Sequence, residues 1–374
     1  MYNILVINPG STSTKIALYQ AGADLVLTEH LSENIIYPKG TSHKPDQLEK
    51  LNSPVTRGAL RTPRALRSQL TLRTQAVMDF LKRNQATELD AVAGRGGLVR
   101  PIPAGSYRIT KKMIDDLSSG SYGSHASNLG ALIADRIAVA FNCPCLITDP
   151  VGIDEFDPLS RYSGLPGMER RCQSHALNIR ATARKAAKKL NTKLEEANFI
   201  VAHLGGGISI APLYRGKIID VNNAYDGGPF SPQRTGSLPT TQLVELAFSG
   251  KYKSAEELNY ILTRKSGLLA YLGTDDGREI RKRIEQGDQQ AAQVYQAMAF
   301  QIAKEIGAMA SVLKGRVKAI IITGGMAHPP LTDWIRERTD WIAPLHLYPG
   351  EHEMIALAEA GLRFLLGHEK LKDY

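Results

Sequence analysis

Two short stretches of the chain combine glycine with hydroxyl side chains in a way that suits phosphate binding. Residues 6–15 read V-I-N-P-G-S-T-S-T-K, and residues 201–209 read V-A-H-L-G-G-G-I-S. In each stretch an apolar run breaks at a turn of small residues, where several backbone N–H groups can point at one spot with hydroxyls beside them. Both stretches are therefore predicted to cradle phosphate groups.

Neither stretch fits two commoner nucleotide-binding motifs. Neither contains the G-x-x-x-x-G-K-[ST] spacing of a Walker loop. In a dinucleotide-binding fingerprint the glycine turn opens a helix, whereas the alternating residues after each turn here indicate a second strand. A dehydrogenase is therefore disfavoured, and two hairpins that grip the phosphates of one nucleotide are the preferred interpretation. A third glycine turn, at residues 324–326, follows a buried strand and is a candidate for holding the base or sugar.

The two stretches are copies of one pattern. A gap-free alignment places four residues of the first copy on four of the second: Val6 on Val201, Gly10 on Gly205, Leu18 on Leu213 and Tyr19 on Tyr214. Each copy begins as a buried strand and is followed by a further short strand, which favours a duplication over chance. A repeat about half the chain long indicates a duplicated domain rather than a solenoid unit, whose period is roughly 20–50 residues.

Apolar periodicity alternates strands with helices along the chain. The predicted strands lie at residues 3–8, 15–19, 25–29, 90–94, 145–148, within 198–220 and at 318–323. The predicted helices lie at residues 66–83, 125–141 with Ser124 as N-cap, 174–190, most of 240–313, and 352–367. This alternation predicts an α/β architecture with a parallel or mixed sheet in each half.

Composition limits the class of protein. A chain of 374 residues exceeds the roughly 250–300 at which a single core stops growing, so two domains are expected. Cys143, Cys145 and Cys172 are interpreted as small buried side chains in a reducing compartment rather than as a disulfide framework. No apolar run approaches the roughly 20 residues that span a bilayer, and no signal-peptide pattern is present, so a cytoplasmic location without a membrane partner is expected.

An arginine-rich segment, residues 57–73, contributes to the net charge of +9. Its arginines are Arg57, Arg61, Arg64, Arg67 and Arg73. Nucleic-acid binding would require aromatic residues or a known module beside such a patch, and residues 50–73 contain no aromatic residue. A solvated helical face is the preferred interpretation, and no nucleic-acid partner is expected. The role of the segment is left open.

With these motifs the sequence resembles the acetate and butyrate kinases, within the actin-like, sugar-kinase and Hsp70 ATPase superfamily. The first glycine turn is similar to their first phosphate loop, residues 203–209 to their second, and T-G-G-M-A at 323–327 to their adenosine loop. Other stretches resemble the butyrate kinase branch: G-R-G-G at 94–97, S-H-A-S-N-L-G-A at 124–131, D-G-G-P-F-S-P-Q-R-T-G at 226–236 and P-G-E-H-E-M-I-A-L-A at 349–358. The resemblance covers nearly the whole chain, except residues 50–65.

The resemblance implies both a fold and an activity. The fold would be α/β, with duplicated actin-like ATPase (ribonuclease H-like) domains, residues 1–152 plus 355–374 and residues 153–354, and a nucleotide cleft between them. The activity would be reversible transfer of the ATP γ-phosphoryl group to a short-chain fatty acid, butyrate or a branched relative, giving an acyl phosphate and ADP. Mg²⁺ would be the cofactor, and a homodimer or larger homo-oligomer is expected. A non-catalytic ATP-binding regulator and an acetate or propionate kinase remain open as alternatives.

The resemblance also implies which residues act. The catalytic residues would be Arg234, His175, Asp149, Arg95 and His125, with Arg234 on the transferring phosphoryl group and Arg95 on the carboxylate of the acid. The nucleotide-binding residues would be Asn8, Gly10, Ser11, Ser13, Lys15, His203, Gly205, Gly206, Gly207, Asp276, Arg278, Gly324, Gly325 and Met326. Asn8 and Glu351 would hold the metal, by way of water.

Two departures from the acetate kinases concern the acid. Their acid-binding arginine lies three residues before Arg95, at the position of Val92 in this chain. The glycines at 94, 96 and 97 permit a bulge or bend that re-aims Arg95. Acetate kinases surround the methyl of their substrate with bulky side chains at three positions, where this chain has Gly94, Ser124 and Ser174. These smaller residues predict a pocket with room for a longer acyl tail.

Overall fold

The computed structural model describes residues 1–10, 12–37 and 63–374, and for residues 63–67 it describes the backbone alone. The chain forms two compact units. The first consists of Met1–Ile153 together with His352–Tyr374, and the second of Asp154–Glu351. Each unit contains one sheet and its own buried apolar core.

Eleven strands and eleven helices occur in the described residues. In chain order the strands are β1 Tyr2–Pro9, β2 Ser13–Ala21, β3 Leu27–Ile36, β4 Ala91–Arg95, β5 Ser106–Arg108, β6 Cys145–Thr148, β7 Phe199–Leu204, β8 Ile208–Tyr214, β9 Lys217–Ile218, β10 Ala319–Gly324 and β11 Leu345–Pro349. The helices are α1 Pro63–Arg83, α2 Lys111–Ser119, α3 Asn128–Phe141, α4 Ala176–Lys189, α5 Thr240–Phe248, α6 Ala255–Arg264, α7 Gly267–Leu272, α8 Gly277–Glu285, α9 Gln289–Val312, α10 Leu331–Thr339 and α11 Glu353–Leu365.

The two sheets share one topology. In the first unit the order is β3-β2-β1-β4-β6-β5, where β1, β2 and β3 are antiparallel and β4 and β6 run parallel to β1. In the second unit the order is β11-β10-β7-β8-β9, again with one antiparallel meander and two parallel strands. The duplication predicted from the sequence repeat is therefore confirmed, with β5 as an addition to the first sheet.

The gap-free alignment of the two copies is wrong beyond the turn. Four residues separate Pro9 from its strand-pairing partner Thr14, whereas three residues separate Leu204 from its partner Ile208. Strand pairing places Leu213 at the position of Tyr19, and not at that of Leu18 as predicted. The copies thus match strand by strand, with a single-residue deletion in the second turn.

Two element boundaries also differ from the prediction. The helix expected from residue 125 begins at Asn128, and Ser127 rather than Ser124 occupies its N-cap position. The strand expected at residues 25–29 is β3, which begins two residues later, at Leu27, and extends to Ile36. Leu25 has a φ of 57°, which belongs to a turn and not to a strand.

The arginine-rich segment is only partly described, and the interpretation of its arginines as a solvated face is wrong for Arg73. This side chain lies on α1 and is 1% exposed. Arg57 and Arg61 lie outside the described residues, as do the side chains of Arg64 and Arg67. None of the helices in the described ranges is long and apolar enough to cross a bilayer.

Candidate active site

The first unit brings three of the predicted residues to one edge of its sheet. Asn8 is the penultimate residue of β1, Arg95 is the last residue of β4, and Asp149 directly follows β6. These three strands are parallel, so their carboxyl ends meet at the same edge. Open α/β sheets bind their ligands at this edge.

Asn8 and Arg95 converge on a carboxylate that the sequence analysis did not select, that of Glu353. The Arg95 guanidinium lies 2.7 Å from Glu353 Oε2, and Asn8 Nδ2 donates to the same oxygen at 2.9 Å. Arg95 also donates to Asn8 Oδ1 at 3.2 Å. Glu353 is 5% exposed and is the first residue of α11. A carboxylate at a helix N-terminus is stabilised by the helix dipole as well as by these donors.

The structure thus places Glu353, rather than the predicted metal ligand Glu351, against Asn8. Glu351 is exposed, and it follows β11 in the second unit. In the described part of the chain, no three His, Cys, Asp or Glu side chains come together as a metal site. The metal role of Glu351 stays a prediction.

Asp149 and His125 occupy different surroundings in the first unit. Asp149 is 2% exposed, has a φ of 42°, and accepts a hydrogen bond from Gly105 N through its carboxylate at 2.9 Å. A left-handed residue other than glycine is strained and is found preferentially at functional sites. His125 is exposed in the loop before α3, where its Nδ1 lies 2.8 Å from the Ser127 hydroxyl.

A backbone hydrogen bond closes the first glycine turn. Gly10 N donates to the carbonyl oxygen of Ser13 at 2.8 Å, which fixes the width of the turn. Lys15 follows on β2 and is exposed. Ser11, predicted to bind nucleotide, lies outside the described residues.

In the second unit, His175 and His203 form a stacked pair. Their ring centroids are 4.0 Å apart and the ring planes differ by 13°. His203 is the penultimate residue of β7 and is 5% exposed, whereas His175 is the N-cap residue of α4. Ser209 lies 2.9 Å from His175 Nδ1, and Asn178 lies 2.8 Å from His203 Nδ1.

Arg234 lies against the second glycine turn. A Cβ on Gly207 would lie 2.5 Å from its NH1 nitrogen, so the guanidinium packs directly against this turn. The guanidinium stacks on the Tyr225 ring at 4.1 Å from its centroid and donates to the Ala224 carbonyl at 3.1 Å. Burial lowers the pKa of the Arg234 guanidinium, which nevertheless stays charged at neutral pH.

The structure also brings together two of the stretches predicted to bind adenosine. A Cβ on Gly277, between Asp276 and Arg278, would meet the Met326 sulfur at 2.5 Å. Asp276 is the N-cap of α8, and its carboxylate also binds the Arg278 side chain, which lowers the Asp276 pKa to about 2. Gly324 has a φ of 95°, and a side chain there would collide with the backbone of β7. Gly325 and Gly206 face open space, since a Cβ on either would meet nothing within 4 Å.

The pocket prediction is wrong for Gly94. A Cβ on Gly94 would lie 2.5 Å from the carbonyl oxygen of Gly130 in α3. The missing side chain thus allows a helix to approach the sheet and does not open room for a substrate. Of the other two predicted pocket residues, Ser124 is exposed and Ser174 is half-buried next to His175 in the chain, and their role in a pocket stays a prediction.

Comparison with known proteins bears on this arrangement. The sequence model of the acetokinase family matches residues 167–338. Over an alignment of 377 residues that covers the whole of both chains, the sequence is 46% identical to "probable butyrate kinase 2" of Caldanaerobacter subterraneus subsp. tengcongensis. The chain belongs to the acetokinase family. The predicted family membership is therefore confirmed.

Solved structures share the fold of this acetokinase. An acetate kinase from Porphyromonas gingivalis superposes with a TM-score of 0.73 at 17% identity, covering 98% of this chain and all of the other. A propionate kinase from Francisella tularensis subsp. tularensis superposes with a TM-score of 0.71 at 18% identity, covering 96% of this chain and 99% of the other. The predicted actin-like α/β fold class is confirmed.

Two residues that contact the candidate site residues were missed by the sequence analysis. Glu353 stands two residues after Glu351 in E-H-E, and only the start of α11 decides which carboxylate faces β1. Asn178 lies on α4 one turn after His175, and it is 0% exposed. Its spacing of three residues from a candidate catalytic histidine places it on the same helical face, which was a usable signal.

Proposed function

We propose that this acetokinase transfers the γ-phosphoryl group of ATP reversibly to butyrate or a branched short-chain relative, forming an acyl phosphate and ADP. The relative named probable butyrate kinase 2, 46% identical over the full length, supports a carboxylate as acceptor. The observation that carries the proposal is the contact of Arg234 with Gly207, which puts a permanent cation on the turn expected to hold phosphate. The stacked His175 and His203 lie in the same unit and add ring N–H donors.

The chemistry needs little more than positioning and charge neutralisation. A carboxylate oxygen of the acid attacks the γ-phosphorus, a new C–O–P linkage forms, and the bond from phosphorus to the oxygen bridging to the β-phosphate breaks to release ADP. Because the carboxylate is already an anion, no general base has to remove a proton. The enzyme has to bring two anions together and to stabilise charge on the equatorial phosphoryl oxygens.

In the proposal Arg234 supplies most of that stabilisation. A planar guanidinium can donate two parallel hydrogen bonds to phosphoryl oxygens, and stacking on Tyr225 holds its plane. His203 and His175 would donate ring N–H groups to the same phosphoryl group. His125 and Asp149, from the first unit, would act near the acid and orient the cationic groups.

Arg95 is the proposed partner of the substrate carboxylate. Its NH1 group is held by Glu353 and Asn8, which orients the guanidinium at the carboxyl edge of the first sheet. An arginine held in this way can bind an incoming carboxylate with its remaining donors. We expect Arg95→Ala to raise KM for the acid by tenfold or more, with KM for ATP little changed.

The magnesium proposal rests on the Asn8 and Glu353 oxygens. Amide and carboxylate oxygens are the ligands Mg²⁺ prefers, and an ion that keeps several waters needs few protein ligands. Both Asn8 and Glu353 are 5% exposed and already hydrogen-bonded to each other, which suits contact through metal-bound water. When bound with ATP, Mg²⁺ neutralises part of the phosphate charge.

The proposed nucleotide contacts come from three glycine turns. The turn that contains Gly10 and Ser13, extended by Lys15, would hold phosphates from the first unit. The turn at residues 205–207 would do so from the second unit, and Gly324–Met326 would contact adenosine together with Asp276 and Arg278. The contact between Gly277 and Met326 supports a shared role for the last two stretches.

Self-association and cellular location belong to the proposal as well. Helix α5 has no buried residue, and Val244 and Phe248 are 52% and 87% exposed, so it offers apolar surface for contact with a second copy. We expect a homodimer or larger assembly, which light scattering at micromolar concentration measures. A cytoplasmic location, with no nucleic-acid partner, is the expectation from the sequence.

A coupled assay of ADP release tests the function. ATP, Mg²⁺ and each of acetate, propionate, butyrate and isobutyrate would be supplied in turn, and the acyl phosphate would be trapped with hydroxylamine. We expect ADP release that depends on the acid, with equimolar hydroxamate. Tight ATP binding without acid-dependent turnover would instead support the non-catalytic regulator, and a maximum at acetate or propionate would support the other alternative.

A further inference from the structure

The buried arginine of α1 lies directly behind the first glycine turn. Arg73 is 1% exposed and belongs to the arginine-rich segment that the sequence analysis left without a role. Burying a guanidinium is unfavourable unless acceptors replace the lost water. The hydrogen-bond acceptors that surround Arg73 therefore indicate the role of this side chain.

Three of these acceptors belong to the turn and to the start of β2. The Arg73 NH1 group donates to the carbonyl oxygens of Gly10 at 2.9 Å and Ser13 at 2.8 Å, and to the Thr14 hydroxyl at 3.0 Å. Ser13 is at the same time the acceptor for Gly10 N, so the guanidinium joins the hydrogen bond that closes the turn. One side chain thus fixes the chain on both sides of the turn.

The guanidinium is itself held in place by two neighbours. Its Nε donates to Gln69 Oε1 at 3.0 Å, one helical turn earlier on α1. The Tyr37 ring lies under it, with the guanidinium carbon 4.7 Å from the ring centroid. Burial lowers the pKa of the Arg73 guanidinium, but an arginine in a protein stays charged at neutral pH. A fixed positive charge therefore stands behind the turn.

The second unit has a neutral counterpart. The buried hydroxyl of Ser231 donates to the carbonyl oxygen of Gly206 at 2.8 Å and so anchors the second glycine turn. Both turns are thus anchored through a carbonyl, one by a hydroxyl and the other by a cation. Because electrostatic interactions are stronger away from water, the buried charge gives the first turn an attraction for anions that the second anchor lacks.

We propose that Arg73 is a positioning residue for nucleotide phosphates: it holds the carbonyls of Gly10 and Ser13, and its charge strengthens phosphate binding at this turn. This inference rests on the proposed function, in which the turn binds ATP. It assigns to Arg73, within the arginine-rich segment, a role in small-anion binding rather than in a solvated surface.

Binding measurements with ATP and AMP test the proposal. Arg73→Met keeps much of the side-chain volume and removes the positive charge. Arg73→Lys keeps the charge and loses the planar guanidinium with its paired N–H donors. We expect Arg73→Met to weaken ATP binding by tenfold or more in titration calorimetry, and Arg73→Lys to weaken it less. Binding of AMP, which lacks the outer phosphates, should change by less than twofold. Arg83→Met is the matched control, because Arg83 is exposed on the same helix and pairs with Glu33.

The outcomes separate positioning from folding and from the proposed function. If Arg73→Met does not fold, Arg73→Lys and Gln69→Leu decide, because the latter only loosens the guanidinium and should weaken ATP binding about two- to fivefold. The proposed role of Arg73 would be overturned by either of two results. One is that ATP binding and AMP binding weaken equally, and the other is that all three variants bind ATP within twofold of the wild type. Absence of ATP binding by the wild-type protein would instead overturn the proposed function.

Discussion

His175 and His203 lie face to face in the second unit, with ring centroids 4.0 Å apart and planes that differ by 13°. Two stacked imidazoles cannot easily both carry a positive charge, because like charges at this distance repel. Neighbouring side chains therefore determine which ring nitrogen of each histidine carries a hydrogen. Ser209 lies beside Nδ1 of His175, and Asn178 lies beside Nδ1 of His203.

Hydrogen bonds around Asn178 indicate which nitrogen of His203 carries the hydrogen. The Thr323 hydroxyl donates to the Gly350 carbonyl at 3.3 Å, and so it can accept from Asn178 Nδ2 at 3.1 Å. The second hydrogen of that amide then points to His203 Nδ1, which must accept it. His203 consequently carries its hydrogen on Nε2, the nitrogen that would lie 3.0 Å from a Cβ on Gly205.

Replacing Asn178 should impair catalysis more than nucleotide binding. We expect Asn178→Leu to lower kcat about tenfold or more, because the Nε2–H donor is no longer fixed, with KM for ATP within threefold. Asn178→Asp should be at least as impaired, because a carboxylate accepts from Nδ1 and reverses the tautomer. Steady-state kinetics with Asn259→Ala, an exposed amide of the same unit, as control measure this. An Asp variant with wild-type kcat would refute the tautomer argument.

Removing the guanidinium of Arg234 should abolish most of the turnover. Since Arg234 is proposed to contact the phosphoryl group in the transition state, Arg234→Ala should lower kcat by about 10³-fold or more while KM changes only several-fold. Arg316→Ala is the control, because Arg316 is exposed in the same unit. Retention of most of the kcat by Arg234→Ala would exclude the residue from the catalytic set.

Gly94 should respond to substitution as a packing residue. A Cβ 2.5 Å from the Gly130 carbonyl forces α3 away from the sheet, so Gly94→Ala should lower the free energy of unfolding by about 1–3 kcal/mol. Gly307→Ala is a matched control on α9, where a Cβ meets nothing within 4 Å, and it should raise stability by about 0.5–1 kcal/mol. Denaturant unfolding measures both. A Gly94→Ala variant of wild-type stability with an altered acid preference would restore the pocket interpretation.

Cys145 should react slowly with alkylating reagents in the folded protein. Burial raises the pKa of its thiol from 9.0 to about 12, so at pH 8.5 the thiolate fraction should be about 10³-fold lower than in unfolded chain. A pKa that is higher in the folded state stabilises the fold fully below 9.0, and this contribution is lost as pH rises toward about 12. Mass spectrometry after iodoacetamide treatment, with and without urea, measures the difference. Equal labelling under both conditions would contradict it.

The sequence predicted the fold well because its signals are local. Strand periodicity and glycine turns identified both hairpins and hence the duplication, and the two phosphate-loop motifs lie at the turns of these hairpins. Burial of Arg73 depends instead on its contact with Gly10, 63 residues earlier, which helix periodicity cannot reveal. Glu353 was missed because the start of α11, rather than the motif, decides which carboxylate meets Asn8. Gly94 was misinterpreted because glycine serves equally for ligand room and for close helix packing.

The choice of acid is the last expectation that experiment can decide. With Gly94 assigned to packing, a long acyl pocket depends on Ser124, which is exposed, and on Ser174, which is half-buried beside His175. Each additional buried methylene should contribute about 0.8 kcal/mol or somewhat more, and kcat/KM should therefore rise about four- to tenfold per carbon from acetate to butyrate.

Restoring bulk at Ser174 should reverse this preference. Ser174→Phe would fill the space proposed for the acyl tail, so kcat/KM for butyrate should fall about tenfold or more while that for acetate changes by less than threefold. Ser163→Phe, at an exposed position of the same unit, controls for added bulk alone. Because His175 adjoins Ser174, a Phe that displaced the imidazole would depress turnover of every acid equally, and this pattern separates disruption from selectivity. If acetate is the best substrate of the wild-type enzyme, the proposal of butyrate as acceptor has to be withdrawn in favour of acetate.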